Sequence, residues 1–143
     1  MIAYADTGFL VSLYGQDAHS QQAIALANSK PVFILTSLSE LEFTNAMELL
    51  VFRKEWTPHD AGTIRERFVQ HQAAGVFRME PLVPEVWEKA LFLSRRRSAK
   101  LGTRTLDVLH VATALVMKPD VFFSFNGRQR ALAKAENLRT LPA

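Results

Sequence analysis

Residues 104–117 read Arg-Thr-Leu-Asp-Val-Leu-His-Val-Ala-Thr-Ala-Leu-Val-Met, a mostly apolar run behind a polar turn. Thr105 suits a helix cap, and Asp107 in the first turn suits the positive end of the helix dipole. Asp107, Val111 and Ala114 fall at i, i+4 and i+7, so the carboxylate lies on the stripe that a helix buries. A buried carboxylate needs a cation, hydrogen-bond donors or a metal. The rest of the chain is therefore expected to bring polar partners to Asp107.

Other acids stand in comparable settings. Asp6 follows the short apolar run Ile2-Ala3-Tyr4-Ala5, and Glu42 shares a helical stripe with Ala46 and Leu49. Past the apolar run 121–125, Asn126 occupies a place where an acid would complete a cluster. Between these points short apolar runs alternate with helical patterns. Residues 2–5, 32–35, 76–80 and 121–125 read as strands, and 138–141 as a last edge strand. Helices are expected over 7–14, over 19–28 behind Asp17, and from a cap at Thr36 or Ser37 to about Lys54. Thr57-Pro58 opens another, a cap followed by proline at the first helical position, and Gly75 stops it. Residues 85–100 read as a helix closed by Gly102, and 128–136 as one with Asn137 as a left-handed cap.

This alternation predicts an α/β fold: a single three-layer α/β/α domain over 1–143 with a short, mainly parallel sheet. In open sheets of this kind ligands bind beyond the carboxyl ends of the strands. Asp6 and Asn126 are expected there, with Glu42 and Asp107 in nearby first or second helical turns. Carboxylates without thiolates or a histidine pair suit a hard cation, Mg²⁺ or Mn²⁺, rather than zinc.

Bulk properties agree with one domain. The chain has 143 residues, is 48% hydrophobic and carries a formal charge of +3. No apolar run approaches the roughly 20 residues of a membrane span, and no secretory signal pattern opens the chain. The lack of cysteine excludes disulfides, thiolate metal sites and cysteine nucleophiles, and fits a reducing, cytoplasmic location.

The segments around Asp6-Thr7, Glu42-Phe43-Thr44-Asn45-Ala46, residues 107–114 and residues 124–133 resemble the PIN-domain ribonucleases of the VapC toxin type. The resemblance covers essentially the whole chain. It implies a cytoplasmic, metal-dependent endoribonuclease acting on RNA, usually the toxin of a toxin–antitoxin pair and usually a homodimer. It also implies that Asp6, Glu42 and Asp107 hold one or two Mg²⁺ or Mn²⁺ ions and form the catalytic centre with Asn126. Thr7, Asn45, Ser124, Arg104 and Arg128 would support the acids or meet substrate phosphate. The family usually has Asp where this chain has Asn126. An amide there contributes no charge, so three formal negatives are expected instead of four, with weaker metal binding or lower activity.

Plainer roles compete with these. Asp6 and Asn126 suit helix caps, and Glu42 suits a solvated helix face. Asp107 could pair with Arg104. His110 reads as a packed structural histidine, while His19, His59 and His71 carry no pattern and are expected on the surface. Arg95-Arg96-Arg97 with Lys100 suits either RNA contact or the negative end of a helix. The alternative function is a catalytically weakened PIN domain that binds RNA or a partner. Phosphoryl-aspartate domains are disfavoured because Thr7-Gly8 follows Asp6, and no glycine-rich phosphate loop appears.

Overall fold

The computed structural model describes residues 1–143. The strands are β1 (Ile2–Ala5), β2 (Val32–Leu35), β3 (Phe77–Met79), β4 (Val121–Phe123) and β5 (Thr140–Leu141). The helices are α1 (Thr7–Tyr14), α2 (Ser20–Ala27), α3 (Ser37–Phe52), α4 (Pro58–Ala73), α5 (Pro84–Leu93), α6 (Ala99–Leu101), α7 (Thr105–Met117) and α8 (Gly127–Ala135). The strands form one sheet in the order β3-β2-β1-β4-β5. Every pairing is parallel, including that of β5 with β4, in keeping with the expected parallel sheet.

Alternation along β1 builds both sides of the sheet. Ala3 and Ala5 face a core with Phe9, Phe33, Phe43, Phe68, Phe77 and Phe123, under α1–α4. Tyr4 points the other way, toward Ile34, Val86, Val108, Val111 and Phe122, under α5, α7 and α8. Two alanines in the central strand leave room for the aromatic side chains of that first core. The result is the expected three-layer arrangement.

β1 is the central strand. The chain first adds β2 and β3 on one side of it, then returns to add β4 and β5 on the other. The order therefore reverses between β1 and β4, and the crevice beyond their carboxyl ends is the place where such sheets bind ligands.

The structure trims several expected boundaries. The strands expected at 76–80, 121–125 and 138–141 are shorter at one or both ends. The helix expected over 85–100 starts at Pro84 and changes character at Ser94–Ser98, a single π-helical turn. Within that turn Arg97 reaches Glu136, Nε to Oε1 at 3.1 Å, and the Ala135 carbonyl at 3.1 Å. Gly102 then ends the segment in the left-handed region, φ 65°. Asn137 adopts the left-handed conformation expected of it, φ 63°. On α3 the buried stripe is Ser39, Phe43 and Met47, one position over from the expected Glu42, Ala46 and Leu49. Glu42 is thereby left half-buried beside the core. No helix is long and apolar enough to cross a membrane.

Candidate active site

Asp6 is the first residue past β1 and caps α1. Its Oδ1 accepts the Phe9 N–H at 2.7 Å, and its Oδ2 accepts a short hydrogen bond from the Ser124 hydroxyl. Ser124 is the first residue past β4, so this bond joins the two strand ends at the crevice. Only 1% of Asp6 is exposed. Burial pushes its pKa above the ordinary Asp value, against hydrogen bonds from Ser124 and Phe9 and the attraction of His110, with the Glu42 charge adding to the rise.

Asp107 is three residues into α7 from its cap. Arg104, not Thr105, is that cap, because its backbone N–H donates to Asp107 Oδ2 at 2.9 Å. The Arg104 side chain makes no ion pair with Asp107 and is exposed at the rim. Oδ1 of Asp107 accepts from Gln129 Nε2 at 3.1 Å. The expected buried stripe is present: Asp107, Val111 and Ala114 are all buried.

Glu42 is held through one oxygen. Oε1 accepts from the Thr7 hydroxyl at 3.0 Å and from His110 Nε2 at 2.6 Å, which leaves Oε2 open. Burial opposes its charge, and the hydrogen bond and charge of His110, with the Thr7 hydroxyl, outweigh it, so its pKa lies below the ordinary Glu value. The other ring nitrogen, Nδ1, meets the Tyr4 hydroxyl at 2.7 Å. A Glu42 carboxylate only accepts, so Nε2 carries a hydrogen toward it, and Nδ1 pairs with the Tyr4 hydroxyl. His110 is thus the buried, bonded histidine expected, and it also braces an acid of the site. Tyr4→Phe leaves Nδ1 without its hydroxyl partner and is expected to cost about 1–2 kcal/mol, read from urea unfolding. An unchanged midpoint would remove this bond from the account.

Asn126 is the cap of α8. Its Oδ1 accepts the N–H groups of Arg128 and Gln129 at 3.0 and 3.1 Å, and its own N–H donates to Ser124 Oγ at 3.0 Å. Its side chain is committed to the backbone. Asn45 is exposed and makes no hydrogen bond with Glu42; Thr7 and His110 take the supporting role expected of it. Arg128 is exposed and contributes only its backbone. Arg130 is turned to the Ser124 carbonyl, Nη1 to O at 3.0 Å. Away from the site, His59 is exposed as expected, and His19 lies exposed but stacked on Phe125 at 4.3 Å. His71 is half-buried on the Tyr14 hydroxyl at 2.6 Å, a departure from the surface placement.

Gln129 was not among the residues expected here. It lies on the buried face of α8 with Leu132 and Ala133, at i, i+3 and i+4. The same helical spacing that singles out Asp107 would have found it. Its Oε1 is buried and has no hydrogen-bond partner in the protein, a state that costs about 1–3 kcal/mol when nothing else satisfies it.

These side chains line two adjoining clefts. One, of about 440 Å³, contains Glu42, Asp107, His110 and Arg104; the other, of about 420 Å³, contains Asp6, Asn126 and Phe125. Thr7, Gly8 and Gln129 line both. No three His, Asp or Glu side chains converge into a ready metal cage. The donors are oxygens, as a hard cation requires, and a cation that keeps most of its waters needs only one or two carboxylates directly. The residues therefore fit a hydrated Mg²⁺ or Mn²⁺ and do not fit a dehydrated structural metal.

A parallel α/β/α domain with acids lining two adjoining clefts past its central strands is the class of protein that fold and site define. The sequence model of the PIN domain matches residues 3–135, and the chain belongs to the PIN-domain family. Its structure is similar to VapC20 of Mycobacterium tuberculosis, a toxin that cleaves the sarcin–ricin loop, with TM-score 0.68, 21% identity, and 90% and 93% of the two chains covered. It is similar to FitAcB of Neisseria gonorrhoeae, with TM-score 0.72, 16% identity, and 98% and 96% covered. It is also similar to a toxin–antitoxin complex of Klebsiella pneumoniae, with TM-score 0.61, 17% identity, and 90% of each chain covered. At these identities the likeness is one of fold. No curated protein matches the chain by sequence.

Proposed function

We infer that this PIN domain is a metal-dependent endoribonuclease, the toxin of a toxin–antitoxin pair. The observation that carries the reading is the buried Asp6 at the β1–β4 crevice, with Glu42 and Asp107 in the adjoining cleft. Membership of the PIN family and the toxin relatives support it. Asp6, Asp107 and the open Oε2 of Glu42 would hold Mg²⁺ or Mn²⁺. When bound, the cation activates water and offsets charge on the scissile phosphate.

The protein's own groups do the positioning. Thr7 and His110 fix Glu42, Ser124 and the Phe9 N–H fix Asp6, and the Arg104 N–H and Gln129 fix Asp107. The exposed Arg104 guanidinium at the cleft is the cation best placed to meet an RNA phosphate. Asn126 serves as a cap, so the site works with three acids. The reading also assigns the protein a cytoplasmic location, an antitoxin partner and a homodimeric state.

The test is cleavage of an end-labelled RNA pool by the purified protein in Mn²⁺ or Mg²⁺, with a chelator control. Cleavage lost in chelator supports the reading; cleavage that survives chelator sinks its metal dependence. Asn126→Asp keeps the cap, since both residues are good caps, and adds a charge. It is expected to raise cleavage several-fold, about 1 kcal/mol of barrier. Cutting by Asn126→Asp alone would favour the alternative, a weakened domain kept for binding.

A further inference from the structure

We propose that Gln129 is a binding residue for the divalent cation of this site, holding Asp107 with its amide nitrogen and offering its free carbonyl oxygen to the hydrated ion. The inference rests on the nuclease reading above and adds a residue to it.

Gln129 is 7% exposed, and its Oε1 is the one buried side-chain oxygen or nitrogen in the protein without a hydrogen-bond partner. Its orientation is settled by chemistry. Nε2 lies 3.1 Å from Asp107 Oδ1; turning the amide over would set two acceptors against each other. Oε1 is therefore the end left over, and it can only accept. The neighbouring acids accept as well, so the site's own carboxylates cannot satisfy it. Gln129 also lines the cleft of Asp6 and the cleft of Glu42 and Asp107. A lone carbonyl oxygen on a residue that lines both clefts and is tied to Asp107 suits a cation or a water bound to one.

The residue type follows from the same geometry. A glutamate here would bring a second carboxylate beside Asp107 and repel it when no cation is present. Glutamine tethers Asp107 without adding a charge. Its spacing within α8 helps: Asn126 caps the helix through the Gln129 N–H, which fixes the turn that carries this side chain.

Mn²⁺ titration by calorimetry and thermal melts of the full chain test the proposal, using wild type, Gln129→Met, Gln129→Glu and Asp6→Asn. Gln129→Met keeps the volume and removes both amide ends; its Mn²⁺ affinity is expected to fall roughly tenfold. Gln129→Glu is expected to bind Mn²⁺ roughly tenfold more tightly, to melt below wild type in chelator, and to recover in Mn²⁺. If both Gln129 variants bind Mn²⁺ like wild type while Asp6→Asn does not, the role of Gln129 is overturned and the nuclease reading stands. Wild-type Mn²⁺ affinity with weakened RNA binding would also overturn it, and would turn Oε1 toward substrate. If wild type itself takes up no Mn²⁺, the metal-dependent reading falls, and this inference with it.

Discussion

Asp6→Asn is expected to lower RNA cleavage by roughly a thousandfold, about 4 kcal/mol of barrier, and to make the cation-free protein more stable. The two effects have one cause. Asp6 is buried, and its folded-state pKa lies above the ordinary Asp value. A raised pKa contributes stability at pH values below the unfolded pKa, and the contribution is lost as pH rises through the folded pKa. Near neutral pH the ionised carboxylate is thus a cost that a bound cation would offset. Asparagine removes the charge and preserves the contacts: its oxygen accepts from the Phe9 N–H, and its amide nitrogen faces the Ser124 hydroxyl. In chelator at about pH 7, melting should rise by a few degrees, about 1 kcal/mol. At about pH 4, near the ordinary Asp value, the gap should shrink. A lower melting temperature at neutral pH would show that the ionised carboxylate stabilises the fold, and would remove the argument.

Phe9→Ala is expected to cost about 4 kcal/mol of stability, the largest loss from any one side chain considered. Phe9 is fully buried and packs on three aromatic rings: Phe123 at 4.9 Å, Phe125 at 5.4 Å and Phe33 at 6.2 Å between centroids. These rings belong to β4, the segment after it, and β2, so the cavity would open beneath the crevice. The Phe9 N–H also binds Asp6, and a shift of α1 would carry that acid with it. Urea unfolding measures the loss. Phe52→Ala supplies the contrast: that ring is 82% exposed, and its removal should change stability by less than about 0.5 kcal/mol. Equal losses at the two positions would contradict the packing described here.

What could be read from the linear chain followed local periodicity. The stripe through Asp107, Val111 and Ala114 announced a buried carboxylate because helical spacing is a local property. Asp6 behind four apolar residues announced a strand end for the same reason. The cap at Thr57 with Pro58 was visible, and the structure closes it reciprocally, with Asp60 bonding back to the Thr57 N–H at 2.9 Å. Asn126 showed both of its possible roles, and the structure shows the cap.

The contacts that escaped are long-range. Glu42 and His110 stand 68 residues apart, and nothing within either segment marks the partner. The stripe on α3 was displaced by one residue because Phe43 and Met47 compete for the core with Glu42, Ala46 and Leu49, and only packing decides between them. The π-helical turn at Ser94–Ser98 lies in a sequence with helical propensity throughout, where Arg97 reaches α8. Gln129 shares a legible stripe with Leu132 and Ala133, but its partner Asp107 stands 22 residues away and nothing in α8 marks it.

The bond between Asp6 and Ser124 spans 118 residues. The acid is made well before the hydroxyl that steadies it, with β2, β3 and β4 translated in between. β1 can pair with β2 as soon as β2 is made, yet its other edge stays bare until β4 has been translated, and a contact of that sequence separation forms late. The crevice therefore cannot be assembled on a nascent chain that still lacks β4. Whatever chemistry the site performs begins only after β4 and Ser124 have been made and have joined β1.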